Sequence, residues 1–118
     1  MKLLGSVTVV VVLVLSFGCG GAQPPIDLLA STQGAVRGAE EAGAAEDPKA
    51  ALHLKLAKEQ IVVAKVQMDD GDDEEAHRTL LRAEADAELA HALAEKAATA
   101  GEAAEAMEDL DKLKKSGK

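Results

Sequence analysis

The stretch QMDDGDDEEAHRTLLRAEADAELAHALAEKA, residues 67–97, decides the fold. Gly71 stands inside its acidic run, where glycine suits the left-handed conformation that ends a helix. Asp72 is placed to cap the following helix, and Glu75 three residues on completes a capping-box-like pair. The acids from Asp72 to Glu75 favour the positive end of that helix's dipole. From Ala76 onward, alanine returns every seven residues at Ala83, Ala90, Ala97 and Ala104, with Leu80, Ala87, Ala94 and Gly101 between. A seven-residue apolar repeat winds two helices around each other left-handedly.

The segment before this turn answers the repeat. Ala50, Leu54, Ala57, Ile61, Ala64 and Met68 step by 4, 3, 4, 3 and 4. Asp47 is a good cap for this helix and Pro48 a good first residue. Leu52, Leu56, Val62, Val63 and Val66 widen its apolar surface, which predicts a middle helix meeting neighbours on more than one side. A connection as short as the one around Gly71 makes the flanking helices antiparallel neighbours. Alanine on both sides lets helix axes approach to about 8 Å, the low end for packed helices.

Further upstream, Pro25 suits a first helical turn, and Leu29, Thr32, Val36, Ala39 and Gly43 follow at spacings of 3 and 4. Gly34, Gly38 and Gly43 each weaken this helix by up to about 1 kcal/mol relative to alanine, so it is expected to be the loosest. The predicted fold is all-α: an antiparallel three-helix up-down-up hairpin bundle with alanine-rich seams and a long third helix, over residues 25–115, with 116–118 as a tail. A third helix from Asp73 to about Lys114 spans on the order of 60 Å, about twice its partners. Its part after about Thr99 projects alone, bends near Gly101, or packs on another copy as a homo-oligomer contact. Met107, Leu110 and Leu113 give that end a modest apolar stripe, and Lys112, Lys114 and Lys115 suit its negative dipole end.

The chain opens MKLLGSVTVVVVLVLSFGCG. A basic start, an apolar run and small residues ahead of a cut describe a secretory signal. The run is shorter than the roughly 20 apolar residues that span a bilayer. Gly18 and Cys19 resemble the processing site of bacterial lipoproteins, although the nearest leucine, Leu15, stands four before the cysteine rather than three. The resemblance implies a signal peptide over 1–18, cleavage between Gly18 and Cys19, and diacylglycerol and palmitate-like acyl chains on Cys19. Two or three chains matter, because one acyl chain gives only marginal attachment. Residues 19–25 then form a lipidated tether, flexible at its glycines and stiffened at Pro24 and Pro25. Aspartate after the cysteine implies inner-membrane retention in that family. Gly20 stands here instead, which implies the outer membrane, facing the periplasm, in a diderm cell.

Residues 1–18 carry a single charged side chain, Lys2, so their loss takes the formal net charge from −8 to −9. That acidity argues against nucleic acid, whose binding needs a basic face. Phe17 is the sole aromatic residue and leaves with the signal, which excludes stacking platforms and aromatic cages.

From PPIDLLAS through ELAHALAEKA, roughly residues 24–98, the sequence resembles the alanine-rich bacterial envelope family of domain of unknown function 4398. The resemblance rests on AEDPKAALHLKLAKEQIVVAK and DDGDDEEAHRTLLRAEADAELA, with Gly71, Asp72, Ala76, Ala83, Asp86, Ala87, Leu89 and Ala90 in the second. It implies a short helical domain behind a lipoprotein signal and supplies no catalytic residues. The segment around GDDEEA is also similar to a tetratricopeptide hairpin, but a solenoid needs about three such units.

Reactive readings fare worse than plain ones. Val66 and Met68 occupy ligand positions of a calcium loop drawn around Gly71. His77 and His91 lie about 21 Å apart along one helix, so they share no metal, and His53 reads as a surface histidine. A narrow alanine seam leaves no dry pocket for paired carboxylates. The expectation is therefore a non-catalytic protein without cofactor or metal. It would be lipid-anchored in the cell envelope and serve as an adaptor or spacer for an envelope protein partner. The alternative is a structural tether to peptidoglycan through Lys118, because a small lipid-anchored helical lipoprotein of enteric bacteria is joined to the wall by its last lysine.

Overall fold

The computed structural model describes residues 21–117. Among them the chain is all-helical, with three helices and no strand: α1 (Ile26–Glu41), α2 (Pro48–Asp69) and α3 (Asp73–Ser116). Gly18, Cys19 and Lys118, and with them the signal peptide, cleavage and lipidation expectations, lie outside the described residues.

Two glycines punctuate the chain. Gly43 and Gly71 both take φ +83°, a value that disfavours any residue with a Cβ. Around Gly43, Ala44 N donates to Ala39 O and Gly43 N to Glu40 O, both at 3.0 Å. Around Gly71, Asp72 N donates to Gln67 O at 2.8 Å and Gly71 N to Met68 O at 3.1 Å. Both are Schellman turns, which satisfy carbonyls that a helix end leaves bare. Gly43 therefore terminates α1 instead of extending its apolar stripe, as its spacing had suggested.

The helix starts differ. Asp47 caps α2, accepting from Lys49 N at 3.0 Å and Ala50 N at 2.8 Å, with Pro48 in the first turn. Pro25 stands one residue outside α1 and its carbonyl accepts from Leu29 N at 2.9 Å. Asp72 makes no side-chain cap, contrary to the capping-box expectation. Its backbone is committed to the Schellman turn before it, at φ −84° and ψ 53°, rather than to the extended geometry that aims a capping side chain.

One core joins the helices. Thr32, Val36 and Ala39 of α1 are buried, as are Ala50, Leu54, Ala57, Ile61 and Ala64 of α2. From α3 come Ala76, Leu80, Ala83, Ala87, Ala90 and Ala94, at spacings of 4, 3, 4, 3 and 4. Leu80 is the largest fully buried apolar side chain, so the core is made mostly of methyl groups. Burying a methyl group contributes on the order of 0.8 kcal/mol, so cohesion depends on close backbone approach and dispersion rather than bulk. Buried Thr32 is satisfied within its own helix, donating to Leu28 O at 2.7 Å.

The long helix, not the middle one, is the hub. Both α1 and α2 pack chiefly on α3 and much less on each other. Leu52, Val62, Val63 and Val66 of α2 accordingly face solvent, each about half exposed or more, against the expectation of a helix enclosed on several sides. A helix packed on one neighbour buries a single heptad stripe, and these residues lie off that stripe.

Candidate functional site: the free half of the long helix

Helix α3 is 44 residues long, about 66 Å, and runs through Gly101 without a break. Its buried stripe stops at Ala94, and Ala97, Gly101 and Ala104, which continue the same heptad, are exposed. The cause is length: the connection Ala42–Asp47 between α1 and α2 lies beside Ala94 and Ala97 of α3. Every described residue of the helix after Ala94 is exposed. Beyond Gly101 the core register itself becomes charged, at Glu108.

A second heptad stripe runs along a different face of α3. Leu89, Leu93, Lys96, Ala100, Ala103, Met107, Leu110 and Lys114 follow at spacings of 4, 3, 4, 3, 4, 3 and 4. Leu93 is half-buried against the core, but the bulky members farther along are exposed where bulky core members are not: Met107 is 71% and Leu110 58% exposed, against 0% for Leu80. Leu113 flanks the stripe. Sequence reasoning found Met107, Leu110 and Leu113 but missed the link back through Ala100 and Leu93. The signal was present, as a second 3-and-4 spacing offset from the alanine repeat.

This stripe begins in a groove. Pro48 and Lys49 at the start of α2 face Leu93, Lys96, Ala97 and Ala100 of α3 across a mainly apolar space of about 350 Å³. Asp47, which caps α2, forms one wall. The groove is open to solvent.

Polar contacts fasten the packed half. Asp86 of α3 links twice to α2, through His53 Nδ1 at 2.8 Å and from Gln60 Nε2 at 2.7 Å. Ser31 of α1 donates to Glu84 of α3 at 2.6 Å, and Lys58 pairs with Glu40 between α2 and α1. At the start of α3, Arg78 donates to Glu74 at 2.7 Å and to Glu75 at 2.5 Å. These hydrogen bonds, reinforced by the guanidinium charge, hold the Glu75 carboxyl below the ordinary glutamate value and raise Arg78. The free half carries only pairs within one helix, Lys112 with Glu108 and Asp109, and Lys115 with Asp111. His77 and His91 remain apart, and among the described residues no three His, Cys, Asp or Glu side chains converge as a metal site would require.

The fold and site define a class: a small helical domain whose longest helix is half core and half projecting arm. Residues 27–112 match the family model described as Domain of unknown function (DUF4398), and the chain belongs to that family. The match reaches past residue 98, where the sequence resemblance had ended, and so takes in most of the projecting arm. No curated protein and no solved structure shows significant similarity to the chain. Among the described residues no helix is long and apolar enough to cross a membrane.

Proposed function

We propose that this protein is an exported, lipid-anchored, non-catalytic component of the bacterial cell envelope that presents the free half of α3 as a docking arm. The helices stand as an antiparallel up-down-up bundle. Ser31 and Gly38 of α1 meet Glu84 and His91 of α3 in the same chain order, whereas Pro48 and Gln60 of α2 meet Leu93 and Asp86 in the reverse order. The observation that carries the docking reading is the row Met107, Leu110 and Leu113, large apolar side chains on a stretch of α3 that no other described residue covers. Apolar surface held out on a rigid element is what a partner helix buries.

The anchor reading rests on the sequence around Gly18 and Cys19, with the charged, aromatic-free remainder fitting an adaptor or spacer. Acyl chains on Cys19 would fix one end to a membrane, the outer one where a cell has two. Intact mass of the protein recovered from the envelope tests this. A form beginning at Cys19 with two or three acyl chains is expected; a form beginning elsewhere, or without lipid, contradicts the anchor. The same spectrum shows whether Lys118 carries a muropeptide, the signature of a wall tether in place of a free arm.

A further inference from the structure

Resting on the docking reading above, we infer that the partner of the arm is a second copy of this chain, paired antiparallel along the stripe from Leu93 to Leu110. The argument starts from where lysine falls. Lys96 and Lys114 occupy stripe positions, near the two ends of an otherwise apolar row. In a parallel, in-register pair every stripe residue faces itself, so Lys96 would meet Lys96 and Lys114 would meet Lys114 across a helix interface. Like charges opposed at such positions are destabilising.

Reversing one helix removes both clashes. In the register that sets Ala100 against Ala103 of the second copy, Leu93 faces Leu110 and Lys96 faces Met107. Leu89 then faces Lys114, and the flanking Ala92 faces Leu113. Each lysine lies against an aliphatic neighbour along which its stem can run while its ammonium reaches water. All of the large exposed side chains of the arm gain a partner at once, and the small residues fall together at the centre, where two helices come closest.

The groove supplies a second, independent reason. In this register Leu110 of one copy lands on Leu93 of the other, at the apolar space bounded by Pro48 and Ala97. By two-fold symmetry, both grooves fill together. The overlap from Leu93 to Leu110 is about 26 Å of helix. That is at the small end for specific interfaces, so the pair is expected to be in the micromolar range or weaker. The two amino-terminal ends then point away from each other.

Photo-crosslinking from position 110 tests the register in the full chain in its own membrane. With Leu110 replaced by p-benzoylphenylalanine, a dimer-sized adduct should join at Leu93–Ala97 of the second copy, as read by fragmentation of the crosslinked peptides. An adduct between position 110 and Met107–Leu113 of the second copy would mean parallel pairing and overturn the proposal. An adduct to a different protein overturns self-pairing while leaving the arm as a docking surface. No adduct at all removes both. An Ala103→Glu variant, at an exposed position in the centre of the register, supplies the control: it should cut the adduct at least tenfold with the helix content unchanged, and an undiminished yield counts against the register.

Discussion

The two halves of α3 are one helix with two kinds of stability. Before Ala94, each turn places a small residue against α1 or α2, and Ala83, Ala87 and Ala90 are completely buried. After Ala97, comparable alanine spacing continues with nothing described opposite it. Periodicity alone therefore does not tell a core from an arm; the length of the neighbouring helices does. Alanine makes both halves feasible. It packs tightly where a neighbour exists, and its high helix propensity maintains the helix where none does.

The sharpest way to break the contrast is to truncate one leucine in each half. Leu80→Ala leaves a cavity in the core and should cost about 2–5 kcal/mol in urea unfolding. Leu113→Ala, at a position 67% exposed, should stay within about 0.5 kcal/mol. Enlarging an alanine probes the same boundary from the other side. Ala87→Leu should cost about 1–3 kcal/mol, because two helices are in contact there, while Ala104→Leu should leave monomer stability nearly unchanged.

The two caps give a finer contrast. Asp47→Ala removes two backbone hydrogen bonds at the start of α2 and should lower stability by about 1 kcal/mol. Asp72→Ala removes no cap bond at the start of α3 and should cost only a few tenths, through the helix dipole.

Gly101 lies mid-helix with open space where a Cβ would go. Gly101→Ala should stabilise the arm locally by about 0.5–1 kcal/mol, visible as slower amide exchange around residue 101 and not in global unfolding.

The smallest expected effect is the pH dependence at the start of α3. Because Arg78 lowers the Glu75 pKa, the pair's contribution is present above the ordinary value of 4.5 and fades as pH falls through the lowered one. Thermal midpoints of the native protein and Arg78→Ala should therefore differ slightly at pH 7 and converge in acid.

Much of this was legible in the sequence because the repeat is simple. The heptads through Ala50–Ala64 and Ala76–Ala94, the Gly71 turn and the Asp47–Pro48 start follow from spacing and capping chemistry alone. The hub was not legible. Val62, Val63 and Val66 look like a second packed face, and only the arrangement of three helices shows that α3 takes the central place. The failed cap at Asp72 has a local cause, since consecutive turns compete for one residue's backbone and the Schellman geometry wins. The arm's own stripe was half visible, because the alanine repeat overlies it until Met107 and Leu110 make it distinct.

Amide hydrogen exchange along α3, in protein dilute enough to be monomeric, tests the central claim most directly. Slow exchange from Leu80 to about Ala94, followed by a sharp fall to the rates of an unsupported helix between Ala97 and Leu113, is the predicted profile. Uniformly slow exchange through Leu113 would contradict the division of this helix into core and arm.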